Sequence, residues 1–214
     1  MKRKALLLAL LCTVFSANAQ SIEDKIESLF ASWNEAHRAG GVVLVSQNNQ
    51  VVFSKAYGLA SIAYNIPNTT NTVFNIGSVS KQFTAMGILL LQQEGKISLD
   101  DDIRKYLPDM NHFGKPITIR HLLHHTSGLR SAPEFFGLAG WRDGDAITNE
   151  DFYRYICKQK TLNMENGSAY MYTNSGYILL AKIIEMVTQQ SFKIWMQDKL
   201  FKPLAMDATF IEED

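Results

Sequence analysis

Residues 41–55 read Gly41-Val-Val-Leu-Val-Ser-Gln-Asn-Asn-Gln-Val-Val-Phe-Ser-Lys55. Two β-branched runs flank Gln47-Asn48-Asn49, the pattern of a β-hairpin, since valine suits a pleated backbone and asparagine a tight turn. Just upstream, Ile22, Ile26, Leu29, Phe30 and Trp33 recur at helical spacing behind a Ser21/Asp24 cap pair. That spacing predicts an amphipathic helix over 21–38, stopped by Gly40-Gly41. A helix leading into an antiparallel hairpin points to an α+β fold rather than a doubly wound parallel sheet.

After an Asn/Thr-rich loop at 65–75 the pattern becomes helical. Helices are predicted from about Val79 to Glu94, closed by Gly95, and over 118–124, 149–158, 175–189 and 191–200. Thr148 with Asp151 marks one helix start and Pro203 one helix stop. Residues 20–76 therefore read as the helix and hairpin of a sheet part, and 77–214 as a mainly helical part. There is no internal repeat or low-complexity tract.

The N-terminus reads as an address rather than as fold. Lys2, Arg3 and Lys4 precede an apolar run, Ala5 to Phe15, and then Ala17-Asn18-Ala19. This order is that of a secretory signal peptide, residues 1–19, removed on export to the periplasm or medium. Cys12 follows Leu10 and Leu11 rather than a small residue, which argues against a lipid anchor. Cleavage leaves 195 of the 214 residues and removes three of 21 basic side chains against 21 acidic ones, for a net charge of −3. The full sequence is 46% apolar and 20% charged, which points away from disorder and from a cationic nucleic-acid binder, and no membrane span is expected once the signal is gone. Only Cys157 remains, so no intramolecular disulfide forms, and it reads as a small core residue.

Two short motifs carry the chemistry. Ser78-Val-Ser-Lys81 follows a glycine and opens an apolar-periodic helix. With 15 serines and 14 lysines in the chain, about one such spacing arises by chance, so the placement carries the weight. A hydroxyl at a helix start meets orphan N–H groups and the positive dipole end, and a lysine three residues on shares its face. Serine needs a neighbouring base to become a nucleophile, and a desolvated lysine can serve; the bland reading is a capping serine beside a solvated lysine. Tyr172-Thr-Asn174 opens another apolar helix, and its bland reading is a core aromatic followed by an Asn cap.

Taken together, four ordered blocks resemble the serine β-lactamase-like superfamily, which holds class C β-lactamases, D,D-peptidases and related esterases. They are Phe74-Asn-Ile-Gly-Ser-Val-Ser-Lys-Gln-Phe-Thr-Ala85, Ile119-Arg-His-Leu-Leu-His-His-Thr-Ser-Gly-Leu129, Tyr172-Thr-Asn-Ser-Gly-Tyr-Ile-Leu-Leu180 and Phe201-Lys-Pro-Leu-Ala-Met-Asp-Ala-Thr209. The likeness runs from about Ala36 to the last residue. It implies an antiparallel sheet flanked by helices with a helical subdomain, and an acyl-enzyme mechanism. Ser78 would be the nucleophile and Lys81 its base partner. Tyr172 would shuttle protons, Asn174 bind the substrate amide, and the Ser78 N–H supply half of an oxyanion hole. Within that resemblance, Tyr-Thr-Asn in place of the Ser-Asp-Asn second element of class A enzymes points to the class C-like branch.

The implied substrate is a β-lactam, a D-Ala-D-Ala stem peptide or an ester, taken by a monomer with no metal or organic cofactor. The family's third element, Lys-Thr-Gly or His-x-Gly on a strand after the tyrosine motif, is absent. His112-Phe-Gly114 precedes Tyr172 and reads as a loop. The resemblance thus implies a C-terminally truncated domain whose closing strands would follow Asp214. The same absence motivates the alternative, a non-catalytic wall-peptide-binding homologue or inactive fragment. Smaller departures are Asn166-Gly167 for Pro-Gly, Gln189-Gln190 for a helix-ending glycine, and Ala205 where glycine is common.

Other chemistries fit less well. His121, His124 and His125 lie near one helical face, but no His-Glu-x-x-His spacing accompanies them, and the helix-end role of His-Thr-Ser-Gly-Leu is preferred. No serine sits in the Gly-x-Ser-x-Gly of a nucleophile elbow. Phe135 to Trp141 reads as a Gly-rich loop beside a pocket or packed as core, and Asp100-Asp101-Asp102 as a solvated helix cap.

Overall fold

The computed structural model describes residues 21–35, 37–142 and 144–212. The signal-peptide reading of residues 1–19 lies outside the described residues. The chain divides into two compact units, one up to Phe74 and one from Asn75.

In the first unit, helix α1 (Ile22–Phe30) begins at a capping box in which Ser21 Oγ accepts from Asp24 N and Asp24 accepts from Ser21 N. It is shorter than predicted: a 3₁₀ turn, Ala31–Asn34, takes over from it. Strands β1 (Gly41–Gln47) and β2 (Gln50–Tyr57) pair antiparallel, Gly41 opposite Tyr57 and Gln47 opposite Gln50, with a bulge at Val45/Ser46. The turn is Asn48-Asn49, both left-handed at φ 50° and 62°. Two positive φ angles in a two-residue loop match the right-handed twist of the flanking strands, and asparagine tolerates them. Strands β3 (Leu59–Ser61) and β4 (Ile66–Pro67) form a second, minimal antiparallel pair, with β4 inside the Asn/Thr-rich stretch expected as loop. The sheet structure among the described residues is thus two separate two-stranded pairs, not one continuous sheet. Phe30, Trp33 and Tyr57 form its aromatic cluster, with ring centroids 5.0–6.4 Å apart.

The second unit is helical. A 3₁₀ turn, Gly77–Ser80, leads into α2 (Lys81–Gln93), followed by α3 (Ile119–Leu123), α4 (Ala132–Leu138), α5 (Asn149–Cys157), α6 (Asn174–Thr188) and α7 (Phe192–Met196), which continues as a π turn over Gln197–Phe201. Helix α6 is its axis. Leu179, Leu180, Ile183 and Ile184 are fully buried, and α6 packs against α2, α3, α5 and α7. Ile88 and Leu91 of α2, Ile119 and Leu122 of α3, Ile156 of α5 and Met196 of α7 complete the core. Each fully buried Leu or Ile contributes about 1.5–3 kcal/mol of transfer free energy, so this layer holds the α2 and α6 starts in place.

The helix ends follow the side-chain chemistry. Thr148 and Asp151 form the capping box of α5, and Thr118 and His121 that of α3. Gln189 closes α6 in the left-handed conformation, φ 57°, its N–H bonded to Glu185 O, where a glycine would be the unstrained choice. Ala205 likewise sits at φ 53°. Residues 132–138 are a correction to the sequence reading: they form α4, with Pro133 in its first turn. The glycines at 137 and 140 suggested loop, yet proline in the first helical turn is pre-set for a helix, and Phe136 anchors it against Phe152 and Tyr155. The acidic run is split by function. Asp100 pairs with Arg120, Asp101 accepts from Ser98 N, Lys105 and Tyr106, and Asp102 caps the 3₁₀ turn Ile103–Lys105 while holding Arg104.

Candidate active site

Ser78 is the second residue of the 3₁₀ turn, not the cap of α2; the cap position is Ser80, whose side chain caps nothing. Asn75 Oδ1 accepts from Gly77 N at 2.9 Å and shapes this approach. The tight turn leaves Ser78 exposed and brings Lys81, first residue of α2, onto the same side. Lys81 Nζ donates to Ser78 Oγ at 3.0 Å.

Tyr172 and Asn174 arrive from the segment that opens α6. In an extended segment alternate side chains share a face, and here Tyr172 faces Ser78 while Asn174 faces Lys81. Tyr172 Oη lies 2.8 Å from Ser78 Oγ, and Lys81 Nζ donates to Asn174 Oδ1 at 2.8 Å. The Lys81 ammonium also stands 5.1 Å from the Tyr172 ring centroid and 5.7 Å from that of Tyr177. The structure therefore brings together all four site residues singled out in the sequence, from motifs 94 positions apart.

The electrostatics at Tyr172 favour its phenolate relative to a free tyrosine. The Lys81 ammonium, and next the Ser78 hydroxyl, hold its phenol below the ordinary value, because both stabilise the phenolate. Burial raises the neighbouring Tyr177 phenol instead. Two adjacent tyrosines are thus pushed in opposite directions.

Supporting contacts come from residues that carried no motif. Ser175 is fully buried; its Oγ donates to Arg130 O at 2.7 Å and accepts from Ala132 N at 2.8 Å, stapling the 130–132 loop to the start of α6. Ser131 Oγ accepts from Asn174 N at 3.4 Å, and Thr173 Oγ1 caps α6 by accepting from Ser175 N. The only hint in the sequence was their adjacency to Asn174 and to the His-Thr-Ser-Gly-Leu block.

The histidines do not converge. His121 Nδ1 accepts from Thr118 N, His124 is exposed, and His125 turns toward the tyrosines. Among the described residues no group of three or more His, Cys, Asp or Glu is placed to hold a metal ion. His112, Phe113 and Gly114 line a cavity of about 560 Å³ with Lys115 and Asn166, and none of the four site residues lines it. Among the described residues, no helix is long and apolar enough to cross a membrane.

Comparison with known proteins gives concordant matches. The beta-lactamase family model matches residues 20–214. Penicillin-binding protein 4* of Bacillus subtilis is 33% identical over 193 residues, 89% of this chain but 42% of that protein. The octameric penicillin-binding protein homologue from Pyrococcus abyssi superposes with a TM-score of 0.75 at 32% identity, over 86% of this chain and 43% of that one. EstCE1, a hydrolase with promiscuous acyltransferase activity, superposes with a TM-score of 0.71 at 26% identity, over 85% of this chain and 50% of that one. The chain thus spans less than half the length of the curated relative it matches.

Proposed function

The chain belongs to the beta-lactamase family, and from that premise we propose that it is an exported serine hydrolase whose nucleophile is Ser78. The observation that supports this most is the three-way contact of Ser78 Oγ with Lys81 Nζ and Tyr172 Oη. Ser78 Oγ attacks the substrate carbonyl carbon as its proton passes to Tyr172, whose phenolate is stabilised by Lys81. The oxyanion that forms takes a hydrogen bond from the Ser78 backbone N–H, one of the donors a helical start leaves without an intrahelical partner. The tetrahedral intermediate then collapses: the C–N or C–O bond breaks, the leaving group takes the proton back from Tyr172, and an ester joins the acyl group to Ser78. Water attacks that ester in the second half-reaction, delivering its proton through the same pair and releasing acid and free serine. Asn174, tied to Lys81, presents its remaining amide donors to the substrate.

The substrate class we propose is a β-lactam, a D-Ala-D-Ala stem peptide or an activated ester, since all three offer an acyl carbon to the same nucleophile. All four side chains come from one chain, which makes a monomer the proposed working unit even though the Pyrococcus homologue is octameric. Residues 1–19 support export to the periplasm or medium; a secreted form beginning at Gln20 by intact mass is the check. The hydrolase reading is tested by incubating the full chain and Ser78→Ala with a fluorescent penicillin and with an activated ester. Covalent label on the native chain alone is expected, and equal labelling of both overturns the assignment. The competing reading, a non-catalytic binder of wall peptide, predicts saturable binding with no adduct.

A further inference from the structure

His125 takes no part in the acyl transfer just described, yet it touches more of the tyrosine segment than any residue of the site. We propose that His125 is the positioning residue of Tyr172: its neutral imidazole is both acceptor and stacking platform, and together with its own carbonyl it fixes Met171 to Asn174 opposite Ser78. This rests on the acyl-transfer reading of Ser78 and Tyr172.

The geometry has two parts. His125 lies just past α3 in a left-handed conformation, φ 55°. Its backbone carbonyl accepts from Met171 N at 2.8 Å, and its Nδ1 accepts from Thr173 N at 3.3 Å. One residue thus holds two alternate backbone N–H groups, 171 and 173. The alternation leaves the side chains of 172 and 174 on one face, where they meet Ser78 and Lys81. The ring also lies 4.5 Å from the Tyr172 ring at 32°, 5.2 Å from Tyr177 at 35° and 5.9 Å from Tyr170 at 78°. Offset aromatic contacts of this kind restrict a half-exposed phenol to one direction. A misplacement of about 1 Å in such a group costs on the order of 10²-fold in rate.

The chemistry requires a neutral ring. Nδ1 can accept from Thr173 only while its lone pair is free, which places the proton on Nε2. The titratable groups that face it are Lys81 from α2, Tyr170 and Tyr172 from the segment ahead of α6, and Tyr177 from α6. Burial first, and then the Lys81 charge, keep the imidazole below its ordinary value, so the neutral form holds at neutral pH. Protonation in acid would turn Nδ1 into a donor against the Thr173 N–H and set a second cation near Lys81.

Two substitutions in the full chain separate the roles. His125→Phe keeps a ring and removes the acceptor. His125→Asn offers a side-chain oxygen near the Nδ1 position and tolerates a positive φ. The readouts are the rate of Ser78 acylation by a fluorescent penicillin across about pH 5–8 and the ¹⁵N shifts of the wild-type imidazole. His125→Phe is expected to acylate about 10–100-fold more slowly, His125→Asn to recover most of that loss, and the acid limb of the wild-type profile to vanish in His125→Asn. The wild-type imidazole is expected as the Nε2–H tautomer, titrating below the ordinary imidazole value. Equal rates in all three proteins, equal losses in both variants, or an Nδ1–H tautomer in the wild type overturn the proposal. A wild-type chain that fails to acylate while its imidazole shows the expected tautomer contradicts the acyl-transfer reading instead, and the tautomer then decides the positioning role, as it does if His125→Phe fails to fold.

Discussion

Ser78 Oγ has two neighbours able to take its proton, and they are not equivalent. Lys81 donates to both Ser78 and Asn174, which engages two of its three ammonium protons as donors. Tyr172 is the group whose deprotonated form the site favours. Tyr172→Phe removes that acceptor while keeping the ring against His125, and acylation is expected to slow by about 10²–10⁴-fold with little change in thermal stability. Lys81→Met is expected to slow it comparably and to raise the alkaline pH needed for activity, because the cation that lowers the phenol value is gone; a burst assay across pH 6–10 checks both. The four residues were legible in the sequence because each motif keeps its partners within a few positions of a helix start. His125 was read only as part of a helix end, since its role depends on a left-handed backbone and on rings 45 to 52 positions away, which spacing along the chain does not show.

At the level of elements, the His-Thr-Ser-Gly-Leu block acts as a clamp between α3 and the tyrosine segment. Its Gly128 sits at φ 72°, and a Cβ there would lie 2.2 Å from Met164 O, a backbone atom with no freedom to retreat. The carbonyl of Gly128 meanwhile accepts from Asn163 N at 2.8 Å. Gly128→Ala is therefore expected to destabilise the protein by about 2–5 kcal/mol, combining left-handed strain with overpacking, and denaturant unfolding measures it. The element pattern was readable where caps are spelled out, as at Ser21/Asp24 and Thr148/Asp151. It failed at α4, where buried Phe136 and a first-turn proline outweigh two glycines, and at the start of α2, where a 3₁₀ turn replaces the expected α-helical cap. At α4 the packing of Phe136 overrides the local preference of the glycines.

For the molecule as a whole, the titration pattern predicts how it responds to acid. His121 and His125 are held below their ordinary values, each chiefly by burial. A depressed folded value means the unfolded chain binds the proton more readily, so stability is full above about pH 6.5 and declines as pH falls through the histidine range. A second decline belongs to carboxylates. Tyr106, Ser98 N and Lys105 hold Asp101 down to about 2, Arg120 lowers Asp100, Arg104 lowers Asp102, and Lys182 lowers Glu150. Their contribution is present above about pH 4 and lost as pH drops toward 2. Thermal melts are expected to show both stages, and Asp101→Asn to shrink the second while leaving the first intact.

The central claim, that Ser78 carries the acyl group, is tested most directly by peptide mass mapping of the full chain after brief incubation with a penicillin or an activated ester. The account predicts one acyl adduct on the peptide containing Ser78, lost in Ser78→Ala and slowed in Tyr172→Phe. An adduct on any other side chain, or one that persists in Ser78→Ala, would contradict it.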